Sequence, residues 1–171
     1  LHAGIAGGAD VILIPEIPYD INEVTKVIKK RSESGKTFTI LAVAEGAISK
    51  EDAKLKKKQY KAKLAQRKYP SIAYELAAEI EEKMDKEVRV TVPGHTQRGG
   101  SPCAYDRVIA TRVGAAAAEL ILNKEYGYMI GIVNNETVKV PLSEVAGKLK
   151  MVDPKSKLVQ EAKAIGISFG D

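Results

Sequence analysis

Four polar residues in this sequence have types that suit the binding of a phosphorylated polyol. His95 directly follows Pro93-Gly94, Arg98 comes three residues later, Arg89 lies six residues earlier, and Glu45 ends a separate apolar run. Guanidinium groups bind phosphate oxygens through paired, charge-assisted hydrogen bonds. An imidazole can donate one more hydrogen bond, and a carboxylate accepts from sugar hydroxyls. These residues predict an anion-binding site, although spacing alone leaves open that Arg89 only caps a sheet edge.

Two buried strands with a helix between them are predicted to position Glu45. Residues 10–15 and 38–44 are apolar runs rich in β-branched side chains, a pattern typical of strands buried on both faces. Between them, apolar residues recur at helical spacing from residue 21 to residue 28, after Asp20 or Asn22 as the cap and before Gly35. This strand–helix–strand order predicts an α/β fold, layered α/β/α around a mainly parallel sheet. Ligands of such sheets bind at the carboxyl ends of the strands, and the Glu45 position fits this rule.

The middle of the chain predicts a basic helical segment, a helix and a strand. Residues 47–69 are rich in lysine, and Ser49 with an acid three residues later is a plausible helix start. Pro70-Ser71 opens a helix with one apolar stripe. The alternation over residues 87–92 predicts a strand that carries Arg89 and ends at Pro93-Gly94. If this strand lies beside residues 38–44, the four polar residues converge on one crevice.

The last third of the chain predicts a long helix, a hairpin and two further helices. Ser101 is expected to be the N-cap of the long helix, with Pro102 at its first position. The pair Asn134-Asn135 predicts a hairpin turn between strands. The strands are predicted at 128–133 and 137–140, a short helix from Pro141, and a last helix from Pro154 to Gly166.

Composition and charge exclude several classes of protein. The single Cys103 rules out an internal disulfide, and no apolar run approaches the roughly 20 residues of a membrane-spanning helix. The net charge of +5 comes from residues 50–68, which hold nine Lys or Arg against two acids. A nucleic-acid-binding module built on this segment is a rival hypothesis, but Tyr60 is its one clear stacking aromatic. We therefore expect neither a nucleic-acid nor a membrane partner, because such a run is more often a solvated helix face.

Several elements of a complete enzyme are not found in the sequence. It contains neither a P-loop nor a dinucleotide-binding glycine loop, and no acidic cluster is placed to hold magnesium beside a general base. The chain begins at Leu1 with what we interpret as the tail of a helix that closes on Gly7-Gly8. We expect it to be one part of a longer enzyme. Residue types and spacing alone go no further than the anion-binding half of an α/β enzyme.

Three blocks of the sequence resemble the bacterial 6-phosphofructokinase family. The most specific is the run Val90-Thr91-Val92-Pro93-Gly94-His95-Thr96-Gln97-Arg98-Gly99-Gly100-Ser101-Pro102, followed by Tyr105-Asp106-Arg107. The others are the glycine-containing run 3–10 with the apolar strand after it, and the run 42–46 that ends in Glu45-Gly46. Together they cover most of the first 125 residues.

The resemblance implies a reaction, a fold and roles for the four polar residues. Members transfer a phosphoryl group from ATP, or in some branches from pyrophosphate, to O1 of fructose 6-phosphate. His95 and Arg98 would bind the sugar 6-phosphate, Glu45 the sugar hydroxyls, and Arg89 a neighbouring subunit's substrate. Residues 1–171 would be the C-terminal, sugar-phosphate-binding portion of a cytoplasmic homo-oligomer, commonly a tetramer. The catalytic Asp, the Mg²⁺ ligands and the nucleotide-binding domain would lie upstream of Leu1.

Two departures from the family pattern concern the phosphoryl donor and regulation. Residues 47–69 lengthen the chain between Glu45 and Arg89, as in branches that include pyrophosphate-using enzymes, so the donor stays open. Asp10 and Lys36 match an effector-binding pattern of the regulated bacterial enzymes, whereas Thr37 and Phe38 depart from it. We expect no strong regulation of that type, with Asp10 and Lys36 as a remnant.

Overall fold

The computed structural model describes residues 1–171, which form two compact units. Unit one comprises residues 1–91 and 151–171, and unit two comprises residues 92–150. No helix in either unit combines the length and the apolarity needed to cross a bilayer.

The parallel strand pair predicted for unit one is present. Strand β1 (Val11–Leu13) pairs in parallel with β2 (Leu41–Val43), with Val11 opposite Leu41 and Leu13 opposite Val43. Both strands are shorter than the predicted runs 10–15 and 38–44. Helix α2 (Ile21–Glu33) connects them, so the βαβ order is confirmed.

Helices cover both faces of this sheet, which confirms the α/β/α layering. Alternate residues of a strand point to opposite faces, and successive residues from Val11 to Ile14 accordingly belong to two different apolar clusters. One cluster joins the sheet to α1 (His2–Ala6) and α7 (Lys157–Ala164). The other joins it to α2 and α4 (Ile72–Lys83).

The chain returns at its C-terminal end to pair with β1, which the sequence analysis did not assign. Ser168 accepts a hydrogen bond from the Ile12 amide at 2.8 Å and donates its own amide to Asp10 at 3.0 Å. The neighbouring Phe169 is fully buried. Helix α7 starts after Ser156 rather than at Pro154, and Gly166 follows its end with a φ of +94°.

The starts of α2 and α4 agree with the predicted ones. The Asp20 carboxylate accepts a hydrogen bond from the Asn22 amide at 2.8 Å, so Asp20 rather than Asn22 caps α2. Gly35, with a φ of +83°, follows the end of that helix. Ser71 precedes α4, whose predicted apolar stripe is buried at Ile72 and Leu76.

The basic segment 47–69 forms a 3-10 turn (Asp52–Lys54) and a helix, α3 (Lys57–Ala65). All residues of α3 are exposed except the half-buried Tyr60, so apolar burial contributes little to its stability. Two ion pairs flank it instead. Lys63 Nζ lies 2.6 Å from Asp52 Oδ1, and Arg67 Nε lies 2.9 Å from Glu75 Oε2. These ion pairs join the segment to Asp52 and to α4.

Asp52→Asn is expected to loosen α3 without unfolding unit one. The Asp52 hydrogen bond raises the pKa of Lys63 above its usual value, so the pair stabilises the folded state at neutral pH and loses that effect as pH rises through the raised pKa. Amide hydrogen exchange over residues 57–65 should be faster in the variant at pH 7 and unchanged in α2. Glu23→Gln, which removes an exposed pair with Lys26, is the control. Equal exchange in Asp52→Asn and wild type would refute the role of this pair.

Unit two consists of helix α5 (Ala104–Leu122), strands β3 (Tyr128–Val133) and β4 (Glu136–Pro141), and helix α6 (Leu142–Val145). The strands are antiparallel, and α5 packs against both. Asn134 and Asn135 have φ angles of +49° and +63°, which confirms the predicted two-residue turn. Arg112 of α5 donates to Asn135 Oδ1 at 2.9 Å, which ties this turn to the helix.

Candidate functional site

His95 and Arg98 lie on one short 3-10 helix, Gly94–Arg98, in unit two. Gly94 enters it with a φ of +50°, a conformation that a residue with a Cβ rarely adopts. The turn is closed by the Thr96 amide, which donates to Pro93 O at 3.1 Å, and by the Gly99 amide, which donates to Thr96 O at 3.2 Å. The short chain of backbone hydrogen bonds makes this loop an ordered turn.

His95 and Arg98 are three residues apart on this 3-10 helix. Side chains at that spacing eclipse one another in an ideal 3-10 helix, so we expect the imidazole and the guanidinium on the same side. Both side chains are exposed, and neither forms a hydrogen bond or an ion pair within the chain. Their donors are therefore available to an anion, and binding of an anion there stays a prediction.

The helix that follows the turn begins two residues later than predicted. Cys103, not Ser101, is the N-cap of α5, and Pro102 lies outside the helix. The predicted Ser-Pro start is wrong because Asp106 accepts from the Cys103 amide at 3.0 Å and so closes a capping box there. Arg107 donates to Pro102 O at 3.2 Å. Asp106 and Arg107 thus both bind backbone atoms at the start of α5.

Arg89 lies in unit one on a segment without regular secondary structure. The predicted strand at 87–92 is wrong, because β1 is the one strand paired with β2 and no neighbour pairs with residues 87–92. The Arg89 side chain is 85% exposed and its Nε lies 2.9 Å from Glu87 Oε1. An ion pair this exposed contributes little to stability, so Arg89 remains free to bind another anion.

The Arg89 segment also forms one wall of a groove of about 590 Å³ in unit one. Leu41 and Val43 of β2 and Leu76 and Ile80 of α4 contribute its apolar walls. The groove therefore runs along the unpaired edge of β2.

Glu45 lies at the carboxyl end of β2, as predicted. It occupies a tight turn in which the Ala47 amide donates to Ala44 O at 2.9 Å. A Cβ on Gly46 would lie 3.7 Å from the Pro15 ring, so this turn packs against the end of β1. The Glu45 side chain is exposed and has no hydrogen-bond or ion-pair partner in the chain. It is thus available to hydroxyl donors.

The structure brings some of the four predicted residues together and not others. His95 and Arg98 share one turn of unit two. Glu45 and Arg89 share unit one, but neither a hydrogen bond nor an ion pair joins them. The convergence of all four on one crevice remains a prediction.

Asp10 and Lys36 were predicted to be the remnant of an effector-binding site. Asp10 is bonded to other residues of the chain, whereas Lys36 is exposed. Asp10 Oδ1 lies 2.9 Å from Arg31 Nη1, and Asp10 Oδ2 accepts from the Ile40 amide at 2.8 Å. Both carboxylate oxygens are therefore engaged within the fold. Lys36 is exposed and lies on the groove wall.

The sequence analysis missed Glu16 at the carboxyl end of β1. Its Oε1 accepts from the Val152 amide at 2.9 Å, and its Oε2 is buried without a hydrogen-bond partner. The signal available in the sequence was an acid directly after a strand-ending proline, next to the strand that delivers Glu45.

No group of three or more His, Cys, Asp or Glu side chains in residues 1–171 is arranged to hold a metal ion. These residues therefore offer no cluster of side chains that would hold a magnesium ion without further ligands.

A family profile and similar curated proteins all point to the phosphofructokinases. The phosphofructokinase family profile matches residues 1–121. The ATP-dependent 6-phosphofructokinase of Spirochaeta thermophila is 48% identical over 171 residues, covering 100% of this chain and 47% of that protein. The protein of the same name from Chloroflexus aurantiacus is 44% identical, covering 100% of this chain and 46% of that protein. The chain spans about half the length of the curated relatives it matches.

Solved structures show the same fold. A phosphofructokinase from Saccharomyces cerevisiae superposes with a TM-score of 0.59 at 28% identity, covering 96% of this chain and 19% of that one. A pyrophosphate-dependent phosphofructokinase from Marinobacter aquaeolei gives a TM-score of 0.64 at 20% identity, covering 93% of this chain and 40% of that one. At 20% identity, the similarity to the Marinobacter aquaeolei protein is evidence for the fold and not for the function.

Proposed function

Because this chain belongs to the phosphofructokinase family, we propose that it is the sugar-phosphate-binding portion of an ATP-dependent 6-phosphofructokinase. The complete enzyme would phosphorylate O1 of fructose 6-phosphate to form fructose 1,6-bisphosphate in glycolysis. The observation that carries the proposal is the pair of free donors, His95 and Arg98, on one ordered turn. Residues 1–171 would form its C-terminal portion, with 47–69 as a basic helical insertion.

Each predicted site residue has a role in this proposal. Arg98 would bind the 6-phosphate through its guanidinium fork, and His95 would donate one further hydrogen bond to it. Glu45 would accept hydrogen bonds from the sugar hydroxyls. Arg89, which is 85% exposed, would bind the substrate of a neighbouring subunit. The enzyme would therefore be a homo-oligomer, with a tetramer as the expected state and the cytoplasm as its location.

We propose ATP rather than pyrophosphate as the donor. The pairing with the Spirochaeta thermophila protein runs over 171 positions and covers all 171 residues of this chain. Residues 47–69 therefore lie within a match to a protein named as ATP-dependent, and the insertion gives no reason to prefer pyrophosphate. The catalytic Asp, the nucleotide site and the Mg²⁺ ligands would come from residues outside 1–171. The metal would neutralise charge on the transferred phosphoryl group.

A donor assay tests the proposal. A full-length protein containing this sequence should convert fructose 6-phosphate to the 1,6-bisphosphate with ATP and Mg²⁺, measured by coupling product formation to NADH oxidation. Pyrophosphate should support less than about one hundredth of that rate. A higher rate with pyrophosphate would overturn the donor assignment, and no rate with either donor would overturn the function. The purified 171-residue chain should be inactive with both.

A further inference from the structure

The carboxyl ends of β1 and β2 carry two similar tight turns that pack against each other. In residues 14–17 the Ile17 amide donates to Ile14 O at 3.2 Å, and in residues 44–47 the Ala47 amide donates to Ala44 O at 2.9 Å. The Pro15 ring of the first turn lies beside Gly46 of the second. Because the strands are parallel and in register, Glu16 and Glu45 lie at neighbouring strand ends. A displacement of the first turn will therefore move the second.

Glu16 fixes the first turn to a distant part of the chain. Its Oε1 accepts from the Val152 amide at 2.9 Å across 136 residues of sequence. Val152 lies at the start of the segment that returns to unit one, and it packs with Ala44 against the same apolar cluster. The Glu16 contact thus joins the returning segment to the two turns.

The second carboxylate oxygen of Glu16 indicates that this side chain does more than fill space in the fold. Oε2 is buried without a partner, and an unsatisfied buried acceptor costs stability. Natural proteins keep few such groups without a reason. An apolar side chain at this position would avoid that cost, but it could not accept the hydrogen bond from the Val152 amide.

We propose that Glu16 is a positioning residue for Glu45, acting through the Val152 hydrogen bond and the packing of Pro15 against Gly46. This inference rests on the proposed function, because Glu45 is taken to bind the sugar hydroxyls. Glu16 itself does not touch the substrate. Its loss weakens sugar binding because the Glu45 turn is no longer held at one position.

Three variants of the full-length enzyme test this role. Glu16→Ala removes the acceptor, Glu16→Asp keeps the charge but is one methylene too short, and Glu16→Gln keeps an oxygen that can accept from Val152. We expect Glu16→Ala and Glu16→Asp to raise KM for fructose 6-phosphate about five- to tenfold while kcat changes less than twofold. Glu16→Gln should restore KM to within about twofold of wild type. KM for ATP should not change in any of them.

A matched control separates positioning from general loosening of the returning segment. Asp153→Ala removes a local contact, Asp153 Oδ1 with the Lys155 amide at 2.8 Å, without touching the strand ends. It should leave KM for the sugar unchanged. Amide exchange at Ala47 should accelerate in Glu16→Asp and not in Asp153→Ala.

The results of these experiments distinguish a failure of the positioning role from a failure of the proposed function. Unchanged KM and unchanged Ala47 exchange in Glu16→Asp, in an enzyme whose wild type is active, would overturn the positioning role alone. An equal rise in KM for Asp153→Ala would assign the effect to the returning segment and overturn it as well. Failure of Glu16→Gln to restore KM would refute the hydrogen bond as the cause. An inactive wild type would overturn the proposed function, whereas Ala47 exchange still reports on the turn.

Discussion

Replacing Arg98 with alanine is expected to raise KM for fructose 6-phosphate about 10- to 150-fold in the full-length enzyme. A hydrogen bond to a charged group contributes about 1.5–3 kcal/mol, and each 1.36 kcal/mol is a factor of ten. Arg98 is exposed and makes no contact within the chain that its loss would break. The effect should therefore appear in sugar binding, while the melting temperature stays within a degree or two of wild type.

Two further variants make the Arg98 result specific. Arg98→Lys keeps the charge but loses the planar fork, so its KM should lie between those of wild type and Arg98→Ala. Lys148→Ala removes another exposed cation of unit two that forms no ion pair, and it should leave KM unchanged. Wild-type KM in Arg98→Ala, with the fold intact, would show that this guanidinium does not bind the substrate. Equal losses in Arg98→Ala and Lys148→Ala would indicate only the general positive charge of the unit.

Local features of the fold could be predicted from the sequence. The hairpin turn at Asn134-Asn135 needs two residues in the left-handed region, and Asn tolerates that conformation better than most residues. The Asp20 cap and the pairing of the buried β1 with β2 likewise depend on residues close together in sequence or on strong apolar patterns. These predictions required no knowledge of distant contacts. The second strand was predicted to be buried too, but β2 is only half-buried because its other edge has no neighbouring strand.

Features that depend on distant partners were predicted less well. The alternation at residues 87–92 is that of a strand, but a strand also needs a neighbour, and none pairs with it here. Ser101 has the right chemistry for a cap, yet the Asp106 carboxylate three residues past Cys103 decides where α5 begins. Glu16 was overlooked because its partner Val152 is 136 residues away.

The residues of the candidate site also differ in how far the sequence alone could predict their positions. His95 and Arg98 are three residues apart, so the local turn alone brings them together. Glu45 follows from the rule that parallel strands present ligand-binding residues at their carboxyl ends. Arg89 has no such local or topological constraint, and its exposed side chain pairs with Glu87. Its proposed partner, a second subunit, is a contact that the sequence of one chain does not specify.

Phe169→Ala is expected to lower the free energy of unfolding of unit one by about 3–5 kcal/mol, the usual cost of truncating a fully buried aromatic side chain. Phe169 is 0% exposed and packs in the same cluster as Val159, while Lys163 Nζ lies 5.6 Å from its ring centre. The adjacent Ser168 pairs with β1, so the cavity would also loosen that edge of the sheet. Since domains of this size are stable by about 5–15 kcal/mol, the loss should be evident as an earlier urea unfolding midpoint.

The matched control for Phe169 lies four residues earlier. Ile165→Ala truncates an apolar side chain that is 75% exposed, so its free energy of unfolding should change by less than about 0.5 kcal/mol. Similar losses in the two variants would show that the end of the chain is not docked as described. A large loss in Phe169→Ala alone would establish that residues 167–169, which carry no recognised motif, are docked against β1. The segment around Ser168 would then matter to the sugar site through β1, because β1 lies between residue 168 and β2.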